Sequence, residues 1–203
     1  MATTIFRLLF VSALLASAPS YAGDANNVAP DAFIKKMTAE VIADLQADSG
    51  LIHDHAKMET YVETRILGLF DFAYMTQQTV NDNAWNRATP EEKSELVAEY
   101  RLLMAHTFAT TLALYDKQSV TIESFQTAQN SQNVMVKGKL IDPEDGPGAL
   151  NFRLEQTNDG WKIYDIELAG IDLIRTYRAD FQAALRTGGV KKLINQLHRK
   201  TGK

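Results

Sequence analysis

Residues 161–189, WKIYDIELAGIDLIRTYRADFQAALRTGG, read as a strand that turns once and becomes a long amphipathic helix. Trp161, Ile163, Tyr164, Ile166 and Leu168 are β-branched, aromatic or large aliphatic residues, which suit a pleated surface. Apolar residues fall on both parities of this run, so neither face is expected to be wholly wet. Gly170 punctuates it. Asp172 is placed to cap a helix by accepting a bond from a first-turn N–H. Ile171, Ile174, Tyr177, Phe181 and Leu185 recur at three- and four-residue spacing. Gly188 and Gly189 end the helix, as helix C-termini prefer.

Working back from this unit, the preceding segments are also strands. Residues 119–125 form one. Residues 133–141 form a second, with Val134, Val136 and Leu140 on one face and Lys137 and Lys139 on the other. A turn at 142–148 leads to a third, in which Leu150, Phe152 and Leu154 alternate with Asn151, Arg153 and Glu155. Asn158, Asp159 and Gly160 make a hairpin turn into the Trp161 strand. Connections this short force neighbouring strands to be antiparallel.

The first half is helical. Pro30 opens a helix carrying Phe33, Met37, Val41 and Leu45. A second carries Met58, Tyr61, Val62, Ile66 and Leu69. A short helical piece at 71–75 and an Asn-rich loop with Trp85 follow. Thr89, Pro90 and Glu92 form a helix start with a capping box, opening a helix of about 25 residues that reaches toward Tyr115. Leu96, Tyr100, Leu103, Thr107 and Thr111 share one stripe of it; Val97, Met104, Phe108, Leu112 and Tyr115 share the next. A last helix starts at Val190 and carries Leu193, Ile194 and Leu197.

The expected architecture is α+β, a twisted antiparallel sheet of about four strands packed with a helical subdomain. It forms one domain over residues 23–203. The helical part spans about 30–117, the sheet about 119–168 and the C-terminal helices about 172–200.

Composition narrows the function. The chain has 203 residues, 45% hydrophobic and 23% charged, an ordinary globular balance. A formal net charge of -4 argues against nucleic acid, which needs a basic surface, and against an anionic membrane surface. Residues 1–22 read as a cleavable export signal. Arg7 supplies the charge, residues 8–15 (LLFVSALL) the apolar core, and Ser20 and Ala22 the small residues before the cut. Its apolar core is too short to span a bilayer. Cleavage removes one charged residue, Arg7, so the formal charge moves from -4 to -5. With no cysteine, the fold relies on its core, and thiolate zinc sites and Cys nucleophiles are excluded.

No catalytic constellation stands out. His53 and His55 flank Asp54, but no third ligand lies at a recognised metal-site spacing, so no metal is expected. His106 and His198 read as structural. Asp165, beside Tyr164, could do acid–base work in an apolar pocket. The simpler reading makes it a structural carboxylate bonded to backbone or to Arg175 or Arg178. Lys191, Lys192, Arg199 and Lys200, with His198 and Lys203, form a basic C-terminal end. That end either complements the helix C-terminus or docks an acidic partner. The remaining signal is a surplus of apolar faces, which serves equally for a core or for a ligand slot.

Three segments resemble the MlaC family, also called toluene-tolerance auxiliary proteins. One is Trp85 through Ala88, Thr89, Pro90, Glu91 and Glu92, continuing to Tyr100, Arg101 and Tyr115. Another is Trp161, Lys162, Ile163, Tyr164, Asp165 and Ile166 with Gly170 and Ile171. The third is Leu185, Arg186, Thr187, Gly188, Gly189 and Val190, running on to Leu193, Ile194, Asn195, Gln196 and Leu197. The resemblance implies an NTF2-like sheet joined to helices. It implies a periplasmic phospholipid carrier, a monomer, working between an outer-membrane lipoprotein complex and an inner-membrane ABC transporter complex. It implies no enzyme activity, cofactor or metal. Two alternatives are a carrier of a polycyclic, hopanoid-type lipid and a small ketosteroid-isomerase-like enzyme. Two features depart from the family pattern: the mature chain is acidic where family members are often basic, and Asp172 stands where Ser is usual.

With that resemblance, parity and stripe give a candidate lipid slot. Its residues are Phe72, Met75, Leu103, Phe108, Leu112, Tyr115, Val134, Val136, Leu150, Phe152, Tyr164, Ile166, Ile171, Ile174 and Tyr177. Lys191, Lys192, Arg199 and Lys200 are the candidate docking residues.

Overall fold

The structure, a computed structural model, describes residues 28–124 and 131–202. The expected export signal and the end of the first strand at Phe125 lie outside them. Helix α1 (Pro30–Ala47) starts on Pro30 at its first turn, where a missing N–H costs nothing. Helices α2 (Ser49–His53) and α3 (His55–Tyr61) are each opened by an aspartate. Asp48 accepts from Gly50 N and Asp54 from Lys57 N. The second expected helix, carrying Met58 to Leu69, is not one continuous α-helix. After α3 the chain widens into a π turn (Val62–Ile66) and tightens into a 3-10 turn (Leu67–Leu69). Helices α4 (Phe72–Val80) and α5 (Asp82–Arg87) follow, capped by Asp71 and Asn81. The capping box at Thr89 and Glu92 forms as expected and opens α6 (Pro90–Leu112), 23 residues long.

The sheet has five strands rather than about four. They are β1 (Ser119–Ile122), β2 (Asn133–Asp142), β3 (Gly146–Thr157), β4 (Gly160–Leu168) and β5 (Ile171–Asp172), ordered β1-β2-β3-β4-β5. All pair antiparallel. The β2–β3 turn is held by Asp142, whose Oδ1 accepts from Glu144 N (2.8 Å) and Asp145 N (3.0 Å). The added strand, β5, is two residues long and uses Ile171, which was expected in the helical stripe. There it is 65% exposed. Asp172 does cap the helix that follows, accepting from Arg175 N at 2.6 Å.

That helix, α7 (Leu173–Lys200), reverses at Gly189, whose φ of 64° and ψ of -160° are open to glycine alone. In a straight helix Asp180 and Lys200 would lie about 30 Å apart. Here Lys200 Nζ stands 4.0 Å from Asp180 Oδ2. The two arms thus fold back on each other, and the expected break at Gly188 and Gly189 is a helical hairpin.

The core lies where α4, α6 and both arms of α7 meet and continues onto the sheet. Ile34, Met58, Met75, Leu96, Tyr100, Met104, Leu154, Ile163, Phe181 and Leu193 are all fully inaccessible. Among the described residues, no helix is long and apolar enough to cross a membrane.

Candidate functional site

Three cross-strand rows build the apolar face of the sheet. Val134 pairs with Leu154, which pairs with Ile163; Val136 pairs with Phe152 and Phe152 with Ile166; Ile122 pairs with Gly138 and Gly138 with Leu150. Direct antiparallel partners share a face, so Ile163 and Ile166 point the same way despite opposite parity. A bulge makes this so: Arg153 pairs with Asp165 and Leu154 with Ile163, which leaves Tyr164 as the extra residue. Tyr164, expected beside Ile166 in the slot, therefore leaves the row. The ring of Tyr164 meets Tyr74 of α4 edge-on, with centroids 5.0 Å apart. Gly138 leaves the third row low. A Cβ there would stand 2.7 Å from Thr121 O and 2.8 Å from Ile122 Cδ1.

The fifteen slot candidates divide by burial. Phe72, Met75, Leu103, Val134, Val136, Phe152 and Ile174 are buried. Phe108, Leu112, Tyr115, Leu150, Tyr164, Ile166 and Tyr177 are half-buried against the core, and Ile171 is exposed. They do not form one wall. Val134, Val136, Leu150, Phe152 and Ile166 stand together on the apolar face of the sheet, without Tyr164 and Ile171. Phe72 and Phe108 both contact Phe70, at centroid distances of 5.7 and 5.1 Å. Tyr177 belongs to the α6–α7 contact, edge-on to Tyr100 and bonded through its hydroxyl to Thr107 Oγ1 at 3.0 Å. Tyr115 accepts a bond from Gln46 at the end of α1.

A groove that sequence reasoning missed lies between α1 and the turns after α3. Its apolar lining is Phe33, Met37, Val41, Tyr61 and Leu69, its rim Lys36, Glu40, Asp44 and Arg65, and its volume about 230 Å³. Arg65 Nη2 lies 3.7 Å from Asp44 Oδ2, and Tyr61 donates to the same carboxylate at 3.0 Å. Phe33, Met37 and Val41 were legible as a helix stripe, but a stripe does not say whether it meets a core or a groove. A second, larger and polar hollow of about 720 Å³ lies at the α7 reversal, lined in part by Asn83, Arg87, Glu92, Arg186 and Lys191. Of the four docking candidates, Lys191 lines this hollow, Lys192 bonds Thr187 Oγ1 at 2.9 Å and Lys200 faces Asp180. Arg199 is exposed.

Asp165 is 2% exposed, and its Oδ1 accepts from Ile174 N at 3.2 Å. Its basic neighbour is Arg153, with Nε 3.5 Å from Oδ2, rather than Arg175 or Arg178. Arg175 pairs with Asp172, and Arg178 bonds Gln78 O. Burial raises the Asp165 carboxyl to about 6, against the Ile174 N–H, which lowers it. Burial and the adjacent Asp71 likewise raise Glu155 to about 7. Asp165 thus has a structural task at the start of α7, and the acid beside it, Asp172, which also raises it, is itself engaged as the α7 cap and with Arg175.

The family profile of the MlaC protein matches residues 35–199. The chain belongs to the MlaC family. Among its curated relatives, the toluene tolerance protein ttg2D of Pseudomonas putida is 21% identical over 161 residues, 79% of this chain and 74% of that one. The intermembrane phospholipid transport system binding protein MlaC of Haemophilus influenzae is 20% identical over 172 residues, 83% and 80% of the two chains. A phospholipid-binding protein from Ralstonia solanacearum, solved in complex with a phospholipid, superposes with a TM-score of 0.77. It is 28% identical and covers 86% of this MlaC-family chain and 97% of its own.

Proposed function

We propose that this MlaC-family protein is a periplasmic phospholipid carrier that shuttles lipid between outer- and inner-membrane complexes and so maintains outer-membrane lipid asymmetry. The observation that carries the reading is the likeness to the Ralstonia solanacearum protein, which spans nearly all of that chain and was solved with a phospholipid. We take the half-buried apolar side chains of the sheet and of α6 together as a seam, which supplies the physical means. Ile122, Leu150 and Ile166 from the sheet and Phe108 and Leu112 from α6 are neither sealed nor fully wet. Two acyl chains withdrawn from water bring on the order of 10 kcal/mol at about 25 cal/mol per Å². That is enough to part a seam whose own contacts are incomplete.

The test is native mass spectrometry of the mature chain purified without detergent, with lipid extraction. A co-purifying diacyl phospholipid, lost in Ile166→Glu and Leu112→Arg variants that keep wild-type circular dichroism, supports the carrier. An apo mass in a protein that also takes no lipid from phospholipid vesicles refutes it. A polycyclic lipid in the extract would favour the hopanoid-type ligand instead.

A further inference from the structure

A second cluster, on the helical layer and unrelated to the seam, has the geometry of a metal site. Helix α3 carries His55 and Glu59 one turn apart, and α6 brings His106 against them. His106 Nδ1 stands 3.1 Å from Glu59 Oε1, and His55 Nδ1 stands 3.7 Å from the same oxygen. The two imidazole rings are 5.1 Å apart, tilted by 54°. One ligand atom from each of the three residues lies within 4.8 Å of the others. In a tetrahedral zinc site with bonds of about 2.0–2.1 Å, ligand atoms are separated by roughly 3.3 Å. The two observed separations, 3.1 and 3.7 Å, bracket that value.

We propose that His55, Glu59 and His106 form a three-ligand site for a divalent transition ion of the zinc type, clamping α3 to α6. Two imidazoles and one carboxylate select a borderline ion of this kind over calcium or magnesium, which take oxygen ligands. All three side chains are partly open to solvent, between 42% and 60% exposed, so an ion can enter and a water can complete the shell. The ion pairs of Glu59 among the described residues run to these two imidazoles, so no lysine or arginine competes for its charge. His53, the other half of the His-Asp-His sequence, is not in the cluster. An ion bound there holds together residues 47 positions apart in sequence and stabilises the folded chain by mass action.

The experiment titrates the mature chain at neutral pH with zinc chloride by calorimetry and with Co²⁺ by visible absorption. The expected result is one saturable equivalent, a four-coordinate Co²⁺ spectrum, and a rise in melting temperature with zinc. Affinity should fall about tenfold or more in His106→Ala and in Glu59→Gln, the second of which keeps an acceptor for His106. His53→Ala should bind as wild type. Either of two results overturns the site: no saturable equivalent up to millimolar zinc, or binding that persists undiminished in both ligand variants. Circular dichroism of each variant separates ligand loss from misfolding, and the lipid content of the preparation is an independent readout.

Discussion

The two sides of the helical layer are packed differently. Where α6 meets α7, Tyr100, Met104, Phe181, Leu193 and Leu197 are fully inaccessible. Their aromatic rings interlock edge to face: Tyr100 lies 5.4 Å from both Tyr177 and Phe181. Polar atoms there are matched, with Glu99 holding His198 at 2.9 Å and Thr201 at 3.1 Å. Where the helices meet the sheet and α1, Phe33, Met37, Val41, Leu69, Phe108, Leu112, Leu150 and Ile166 are all only half-buried. The first region is sealed from solvent, whereas the second is apolar surface left half open. The carrier role proposed above needs both, because a ligand that opens one region must leave the other intact.

Mutations should break this comparison unequally. The largest effect is expected at the dense contact: Phe181→Ala should cost about 3–5 kcal/mol, read as a lower urea midpoint at unchanged slope. A comparable loss at a seam residue would erase the distinction. Next comes pH. Asp165 titrates at about 6 when folded and near 3.8 when unfolded. A raised carboxylate pKa means that the folded state binds the extra proton between those values. Stability from this group therefore grows as pH falls from about 7 toward 4, by about 3 kcal/mol, and the raised Glu155 acts in the same direction. Asp165→Asn should remove its part of that slope in urea melts across this range.

A smaller loss is expected from Thr89→Ala, which opens the capping box of α6 and should cost about 1 kcal/mol. The smallest stability effect should come at the groove. Met37→Ser should change the urea midpoint by well under the Phe181→Ala shift while lowering the phospholipid retained on purification. Wild-type lipid content in that variant would remove the α1 side from the seam.

Much of the fold could be read in advance. The capping signals at Thr89 and Asp172 are local chemistry, and both formed. The Trp161 strand and the break at Gly188 and Gly189 were equally visible, since β-branched runs and paired glycines act within a few residues. Three things were not legible. The bulge at Tyr164 depends on pairing with Arg153 and Leu154, so parity counting placed Tyr164 with Ile166. The reversal at Gly189 depends on what the second arm of α7 finds to pack against. His106 joined His55 and Glu59 only because α3 lies across α6, and no spacing along the chain encodes that. The slot candidates show the same limit. Periodicity identified apolar positions, but Met75 and Ile166 look alike in sequence, and only packing makes one inaccessible and the other half-open.

The plain meander of the sheet has a consequence for how the chain acquires its structure. Every strand pairs with its neighbour in sequence, and β2 to β5 follow one another across turns of a few residues. The helical layer closes only when Glu99 meets His198, 99 residues on. Loop closure over that span costs more entropy, and local pairing proceeds faster. The sheet is therefore expected to assemble first, with the second arm of α7 docking last. In a pulsed hydrogen-exchange experiment, amides of β2 and β3 should gain protection before those of residues 190–200.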